Sequence, residues 1–140
     1  RLSPKDTNAL LQLGFLAHAA RAWRETLLRA REVLAIDHNN EQAALLAAAA
    51  YATAPDPTLR NGPAALDLVQ RALRGQKNAA PTVPLIAAAA HAECGEFSEA
   101  IRIANVAWRL AQSSNNAALM QQISARIKSY RGNKAWYEPK

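Results

Sequence analysis

The chain has 140 residues, which fits one compact domain or a short solenoid, and half of them are apolar, enough to form a core. Alanine dominates the apolar residues and predicts an all-α fold, because it costs least in a helix and lets helices approach closely. The net charge of +6 favours an acidic protein, a nucleic acid or an anionic membrane surface as partner, but the richest apolar stretch, residues 43–52, is far shorter than the ~20 residues that span a bilayer.

An internal repeat organises the chain. A pair of small or apolar residues lies midway along three apolar helical stretches, at Leu13-Gly14, Ala47-Ala48 and Ala87-Ala88. Aligning these stretches gives three units, at residues 7–40, 41–76 and 81–114. Because one helical hairpin cannot bury its apolar face alone, we expect three hairpins to stack in a single domain over residues 1–140.

Helix-start signals locate the first elements. Ser3 and Pro4 predict a helix from about Pro4 to Ala19 or Ala20, with the serine as N-cap and the proline at the first helical position. In the second unit, Gly62-Pro63 opens a helix that runs to about Arg74. Between the two helices of that unit, three prolines and a glycine exclude continuous helix and predict an exposed loop over residues 55–62.

The same kinds of signal predict the helices of the third unit and of the C-terminal part. Thr82 is the expected N-cap of a helix that ends at Cys94-Gly95, where glycine can adopt the left-handed conformation, and the next helix begins near Ser98. An apolar stripe at helical spacing predicts a capping helix over about 116–131. The tail at 132–140 contains Trp136 and Tyr137, which predict that it packs back onto the body.

The repeat resembles the tetratricopeptide repeat (TPR) family. In family order, the first unit supplies Leu10, Leu13, Gly14 and Trp23, the second Ala48, Tyr51, Ala65 and Ala72, and the third Ala88, Gly95, Phe97, Ala100 and Ala107. The first unit departs from the family with Arg21 where glycine is usual, and the second carries a five-residue insertion. The resemblance implies a right-handed superhelix of three helical hairpins plus a C-terminal capping helix. It also implies burial of the small residues Ala48, Ala65, Ala88 and Ala100 where helices cross.

In this family the concave surface is lined mainly by the first helix of each unit. The resemblance therefore implies a groove that binds a peptide or a partner helix, and the expected contact residues are Leu11, Phe15, His18, Leu45, Ala49, Leu85 and Ala89. Thr53 and Glu93 belong to the same surface. The groove is expected to be apolar and shallow, which suits an amphipathic helix; the same residues could instead pack against the tail, a second copy or the rest of a parent chain.

Catalytic, cofactor and metal chemistry are not expected. The three histidines are far apart in the repeat, His91 is expected to be packed and hydrogen-bonded, and Glu93 beside Cys94 should raise the thiol pKa. Asp56 and Asp67 are expected to be solvated or capping. The basic residues are expected to form a solvated face, with no nucleic-acid site favoured: Arg21, Arg24, Arg29, Arg31, Arg71, Arg74, Lys77, Arg126, Lys128, Arg131 and Lys134.

The sequence thus predicts a protein-interaction scaffold rather than an enzyme, expected to be one module of a larger bacterial protein because the chain begins with Arg1. Protein or peptide partners and self-association are both compatible with the groove. Two alternatives stay open. One is an accessory TPR domain of a larger enzyme, and the other is a helical repeat that binds nucleic acid.

Overall fold

The computed structural model describes residues 4–75 and 81–138. In these ranges the fold is all-α, with one 3-10 helix at Pro57–Leu59, seven α-helices and no strand. The α-helices are α1 (Pro4–Ala19), α2 (Trp23–Ile36), α3 (Glu41–Thr53), α4 (Gly62–Gly75), α5 (Thr82–Glu93), α6 (Phe97–Ser113) and α7 (Ala117–Arg131).

Helices adjacent in the chain pack against one another throughout. The pairs α1–α2, α3–α4 and α5–α6 form three hairpins, and contacts of α2 with α3, α4 with α5 and α6 with α7 stack them in sequence. The first helices of the hairpins also meet, because α3 contacts both α1 and α5. The result is a helical repeat followed by one extra helix at the predicted position.

Alanine makes this stacking possible. Ala48, Ala65, Ala88 and Ala100 are all completely buried, as predicted from their places in the repeat. Three apolar clusters run through the stack, and large side chains enter mainly where one hairpin meets the next, as Trp23, Leu27 and Val33 of α2 do against α3. Small side chains at the crossings let the helix backbones approach, which buries the apolar faces that a single hairpin would expose.

The predicted helix ends are largely confirmed. Helix α1 ends at Ala19, α4 begins at Gly62, and α5 ends before Gly95, which has a φ of 81°. Thr82 is a correction: it is the first residue of α5, and Pro81 holds the N-cap position without a side-chain hydrogen bond. The predicted cap at Ser3, and the end of the second unit with Lys77, lie outside the described residues.

Asparagine side chains cap three of the helices, and none of these caps was predicted from the sequence. The side-chain oxygens accept hydrogen bonds from backbone N–H groups three residues on: Asn40 at 2.9 Å for α3, Asn61 at 3.1 Å for α4 and Asn116 at 3.1 Å for α7. Each satisfies one of the N–H groups that the first helical turn leaves without a partner. Each asparagine directly precedes the first helical residue, and asparagine is among the preferred N-cap residues, which is the signal that could have located these caps.

The insertion between α3 and α4 is more buried than predicted. Pro57 and Thr58 are exposed, but Leu59 packs on the apolar cluster shared by α2 and α3. Gly62 is buried, and a Cβ there would lie 2.9 Å from Cys94 Sγ and 3.1 Å from the carbonyl carbon of Glu93. Glycine therefore permits the start of α4 to touch the end of α5, and the predicted exposure of the loop is confirmed only at Pro57, Thr58 and Asn61.

The turn between α1 and α2 holds a residue in the left-handed region. Arg21 has a φ of 59°, at the repeat position where Gly95 of the third unit has a φ of 81°. For a residue with a Cβ this conformation costs roughly 1–2 kcal/mol. We expect Arg21→Gly to raise the free energy of unfolding by about 0.5–1 kcal/mol in urea denaturation, because the relief of strain exceeds the extra entropy of glycine in the unfolded chain.

Gly95→Ala is the matched control for this prediction. Nothing lies within 4 Å of a Cβ built on Gly95, so the substitution changes backbone strain without creating a clash. It should lower the stability by about 1 kcal/mol. A loss of stability in Arg21→Gly would show that the arginine side chain contributes more to the turn than its conformation costs.

Candidate functional site

Three of the seven expected contact residues are buried. Leu11 lies in the apolar cluster formed with α2 and α3, Leu85 in the cluster that includes α6 and α7, and Ala89 in the cluster between α3 and α5. They are 6%, 5% and 2% exposed, so they offer almost no side-chain surface to a partner. Their placement in an open groove is therefore corrected: these positions stabilise contacts between helices.

The other four residues lie on α1 and α3 and form what we call the α1–α3 strip: Phe15, His18, Leu45 and Ala49. Phe15 is 39% exposed and the other three are half-buried. The His18 ring meets the Trp23 ring edge to face, with centroids 5.4 Å apart. Phe15 is therefore the large apolar side chain of the expected site that remains open to solvent.

The C-terminal tail packs back onto the body, as its aromatic residues predicted. After α7 the chain turns, and the Ser129 hydroxyl donates to the carbonyl oxygen of Lys134 at 2.9 Å. Trp136 then packs against the apolar cluster of α5, α6 and α7, and the guanidinium carbon of Arg126 lies 3.9 Å from the centre of its indole ring. This cation–π contact fixes the tail next to α7.

Beyond Trp136 the tail reaches the other hairpins. The Tyr137 hydroxyl donates to Glu93 Oε1 at 2.8 Å, and the Arg60 guanidinium lies 3.7 Å from the Tyr137 ring centre. The Glu138 N–H donates to the Thr53 carbonyl oxygen at 2.7 Å. Thr53 and Glu93 end α3 and α5, so the tail occupies the end of the surface that the repeat predicted to be concave.

Glu138 joins two arginines that are distant in the chain. Its carboxylate lies 3.7 Å from Arg126 and 4.0 Å from Arg21. Arg126 is buried, which corrects its expected place on a solvated face. Burial lowers the pKa of the Arg126 guanidinium and raises the pKa of the neighbouring Tyr130 to about 12. A buried cation is costly unless it is paired, so Glu138 and Trp136 together keep Arg126 inside the fold.

Several other arginines are engaged in pairs on the surface. Arg29 lies 2.9 Å from Glu25 and 2.8 Å from Glu32 along α2, and Arg24 lies 3.4 Å from Asp56 of the insertion. Asp56 also caps the 3-10 helix, and hydrogen bonds from the side chain and backbone of Thr58 lower its pKa. Arg71 pairs with Asp67 at 2.9 Å. Asp56 therefore acts as a cap, as expected, and Asp67 is exposed and paired with Arg71.

Comparison with known proteins identifies no relative. A scan against protein-family models and searches of curated proteins and of solved structures find no match to this chain. A search of the described helices for a segment long and apolar enough to cross a membrane also finds none. The surfaces of the molecule are therefore the basis for proposing its function.

The Cys94 thiol and the His91 ring follow the sequence expectations. Burial, followed by the charges of Glu96 and Glu93, raises the pKa of the Cys94 thiol, which disfavours the reactive thiolate. The His91 ring is held 2.7 Å from Glu96 and is largely packed. Among the described residues, no group of three or more His, Cys, Asp and Glu side chains is placed to hold a metal ion.

Sequence reasoning missed the exposed apolar face of α1. Leu13 and Leu16 are 44% and 66% exposed, which makes α1 the helix with the most exposed large apolar side chains in the described ranges. The signal was present, because the aligned positions of α3 and α5 hold alanine where α1 holds leucine. A larger apolar residue at a position that later hairpins bury indicates a surface left uncovered in the first hairpin.

Proposed function

We propose that this protein is a TPR-like interaction scaffold, a right-handed superhelical stack of hairpins that binds a peptide or helix of a partner protein on the α1–α3 strip. The observation that supports this proposal is Phe15, an aromatic side chain 39% exposed on a helix whose residues 7–19 include no Asp, Glu, Lys or Arg. Exposed aromatic residues of this kind are frequent anchors in protein interfaces.

The shape of the strip defines the kind of partner. Leu45 and Ala49 are half-buried and have aliphatic or short side chains, so the part of the strip on α3 is apolar. An amphipathic helix or an extended segment with one large apolar side chain fits such a surface, because it can cover Phe15 without burying an unpaired charge.

Peptide selection followed by mutagenesis tests the proposal. Peptides selected on the 140-residue chain from a random displayed library should bind the parent, and Phe15→Ser should weaken the selected peptide at least about tenfold. Fluorescence anisotropy of the labelled peptide measures both affinities. Circular dichroism should show unchanged helix content in the variant, since Phe15 is not part of a buried cluster.

Leu28→Ser provides the matched control. Leu28 is a 51% exposed leucine on α2, and the control should bind the selected peptide as the parent does. Equal binding by parent and Phe15→Ser, or failure to select any peptide, would contradict the proposal. Nucleic-acid binding predicts a different result: Arg24→Gln with Arg29→Gln would weaken binding of a single-stranded oligonucleotide, and that binding would fall steeply with salt.

A further inference from the structure

Helix α1 carries a second apolar surface, separate from the α1–α3 strip. Ala9, Leu13 and Leu16 recur at helical spacing on α1. Ala20 lies directly after the helix and continues the row, because its N–H still donates to the Leu16 carbonyl oxygen at 3.0 Å. All four residues are exposed, and Leu16 at 66% is the most exposed large apolar residue in the described ranges. We call these four residues the α1 flank. Leu16 alone would be ordinary for a surface, but four aligned apolar residues without an intervening charge form a continuous stripe.

The corresponding stripe is covered in every later first helix. Most of the equivalent residues, found from the repeat alignment of α5 and from the asparagine caps of α3 and α7, lie in an apolar cluster with residues of the preceding helix. In α3 and directly after it these residues are Ala43, Ala47, Ala50 and Ala54; in α5 they are Ala87 and Ala90; in α7 they are Leu119, Ile123 and Tyr130. The remaining equivalent residue of α7 is Arg126, which the tail encloses. The preceding helix is α2, α4 or α6 respectively. The turns after α2 and α6 are short, which makes these two helices antiparallel to the helix that follows each of them.

The flank therefore has the geometry that this fold uses to receive an antiparallel helix. Ala43, Ala47 and Ala50 of α3, and Ala54 directly after it, are completely buried in a cluster with α2, whereas no helix of the described chain covers the α1 flank. Burying two leucines per molecule is favourable, at roughly 25 cal/mol for each Å² of apolar surface removed from water. The remaining question is which helix covers the flank.

The spacing of the flank is self-complementary. A two-fold axis between residues 14 and 15 exchanges Ala9 with Ala20 and Leu13 with Leu16, because both pairs of numbers add to 29. Two copies of α1 related by this axis run antiparallel, with leucine opposite leucine at the centre and alanine opposite alanine at the ends. Isologous dimers require this kind of self-matching surface.

Charge does not oppose this pairing. The copies each carry a net charge of +6, but residues 7–20 contain no Asp, Glu, Lys or Arg. Arg29, the cation next to this region on α2, is already paired with Glu25 and Glu32. The flank can therefore be removed from water without burying an unpaired charge.

We propose that the α1 flank is the contact of a homodimer, in which the α1 helices of two copies pack antiparallel. This contact goes beyond the peptide-binding function, because it uses a different face of α1. A single pair of helices makes a small interface, so the dimer is weak and depends on protein concentration. It places the two stacks end to end at their first hairpins.

Sedimentation equilibrium of the whole chain tests the association. The parent should show a reversible monomer–dimer equilibrium, and Leu16→Glu should raise its dissociation constant at least about tenfold, because each dimer would then bury two carboxylates. Leu73→Glu is the matched control, since Leu73 is a 40% exposed leucine on α4 of the second hairpin, and it should dimerise as the parent does. A parent that stays monomeric at millimolar concentration overturns the proposal and leaves the flank to a helix of another protein.

Disulfide trapping tests the geometry. In a Cys94→Ser background, a mixture of Ala9→Cys and Ala20→Cys chains should form a cross-linked pair under mild oxidation. Each variant alone should not, because the antiparallel axis puts two copies of residue 9 about 16 Å apart along the helix, too far for a disulfide. Cross-linking of Ala9→Cys with itself and not with Ala20→Cys would show a parallel pair and overturn the proposal.

The two proposed surfaces can be tested independently. Phe15→Ser should leave the monomer–dimer equilibrium unchanged, and Leu16→Glu should leave binding of the selected peptide unchanged. If Phe15→Ser abolishes both, the dimer uses the α1–α3 strip, and the assignment to the α1 flank is wrong. If dimerisation follows the flank variants while no peptide binds, the peptide-binding proposal fails and the dimer contact stands.

Discussion

Replacing Ala88 with leucine is expected to lower the free energy of unfolding by about 3 kcal/mol, near the upper end of the cost of overpacking a core. Ala88 is completely buried in the cluster that contains Ala100 and Ala104 of α6. Leucine adds three carbon atoms where two backbones approach through alanine alone. Because neither helix can move without disturbing the stack on its other side, the added volume produces strain rather than new contacts. Urea denaturation followed by circular dichroism measures the loss.

Ala125→Leu is the matched control, since Ala125 is exposed in the middle of α7. Leucine and alanine are both good helix formers, so this variant should remain within about 0.5 kcal/mol of the parent. Equal stability of Ala88→Leu and the parent would mean that α5 and α6 separate easily. It would also mean that alanine at this crossing is not required for the stack.

Trp136→Ala is expected to lower the free energy of unfolding by about 2–3 kcal/mol, although Trp136 lies in the tail outside any helix. The indole ring packs on the cluster of α5, α6 and α7 and stacks on Arg126. Removing it uncovers apolar surface and takes from the buried Arg126 guanidinium one of its two stabilising neighbours. The second effect adds to the first, because a buried cation that loses a partner keeps its desolvation cost.

Lys134→Ala is the control that separates the loss of stability in Trp136→Ala from any general effect of changing the tail sequence. Lys134 is exposed, and its backbone carbonyl rather than its side chain accepts the bond from Ser129. The control should be as stable as the parent. In Trp136→Ala, trypsin should cleave after Arg131 or Lys134 faster than in the parent, because the tail would leave the body more often. Unchanged stability and cleavage would show that the tail contributes little to the fold.

The elements of the fold could be predicted because their signals are local. Gly62-Pro63 opens α4, Gly95 ends the turn after α5, and the repeated alanines mark the crossings whose burial is confirmed by Ala48 and Ala88. Each signal depends on a few neighbouring residues. The cap at Pro81 instead of Thr82 shows the usual uncertainty of a helix end, where a shift of one residue changes few contacts.

The prediction of an open groove is wrong in part, because the width of a groove depends on how closely the helices pack. The repeat register correctly assigns Leu11, Leu85 and Ala89 to equivalent helices, but α3 contacts both α1 and α5, and Leu85 is covered by the cluster of α6 and α7. Alanine-rich helices lie close together, and side chains that would line a wider groove become part of the contact. The register is encoded locally, whereas the distance between helices is a property of the whole stack.

Arg126 shows the same limitation for charge. Helical periodicity alone predicts that an arginine near the end of α7 is solvated. The burial of Arg126 depends on Trp136 and Glu138, which lie 10 and 12 residues further along the chain. The two aromatic residues of the tail were a sufficient signal that the tail packs back. They did not indicate which cation would be enclosed.

The path of the tail has a consequence for cooperativity. In a stack of repeats each unit touches only its neighbours, so the terminal units can unfold one at a time. Here Glu138 contacts Arg21 in the turn between α1 and α2, Thr53 at the end of α3 and Arg126 of α7. The ion pair with Arg21 is exposed and contributes little, whereas the tail holds the second hairpin through Thr53 and Arg60. Native-state hydrogen exchange should therefore reveal an opening reaction shared by α3 and α7, while α1 can open separately.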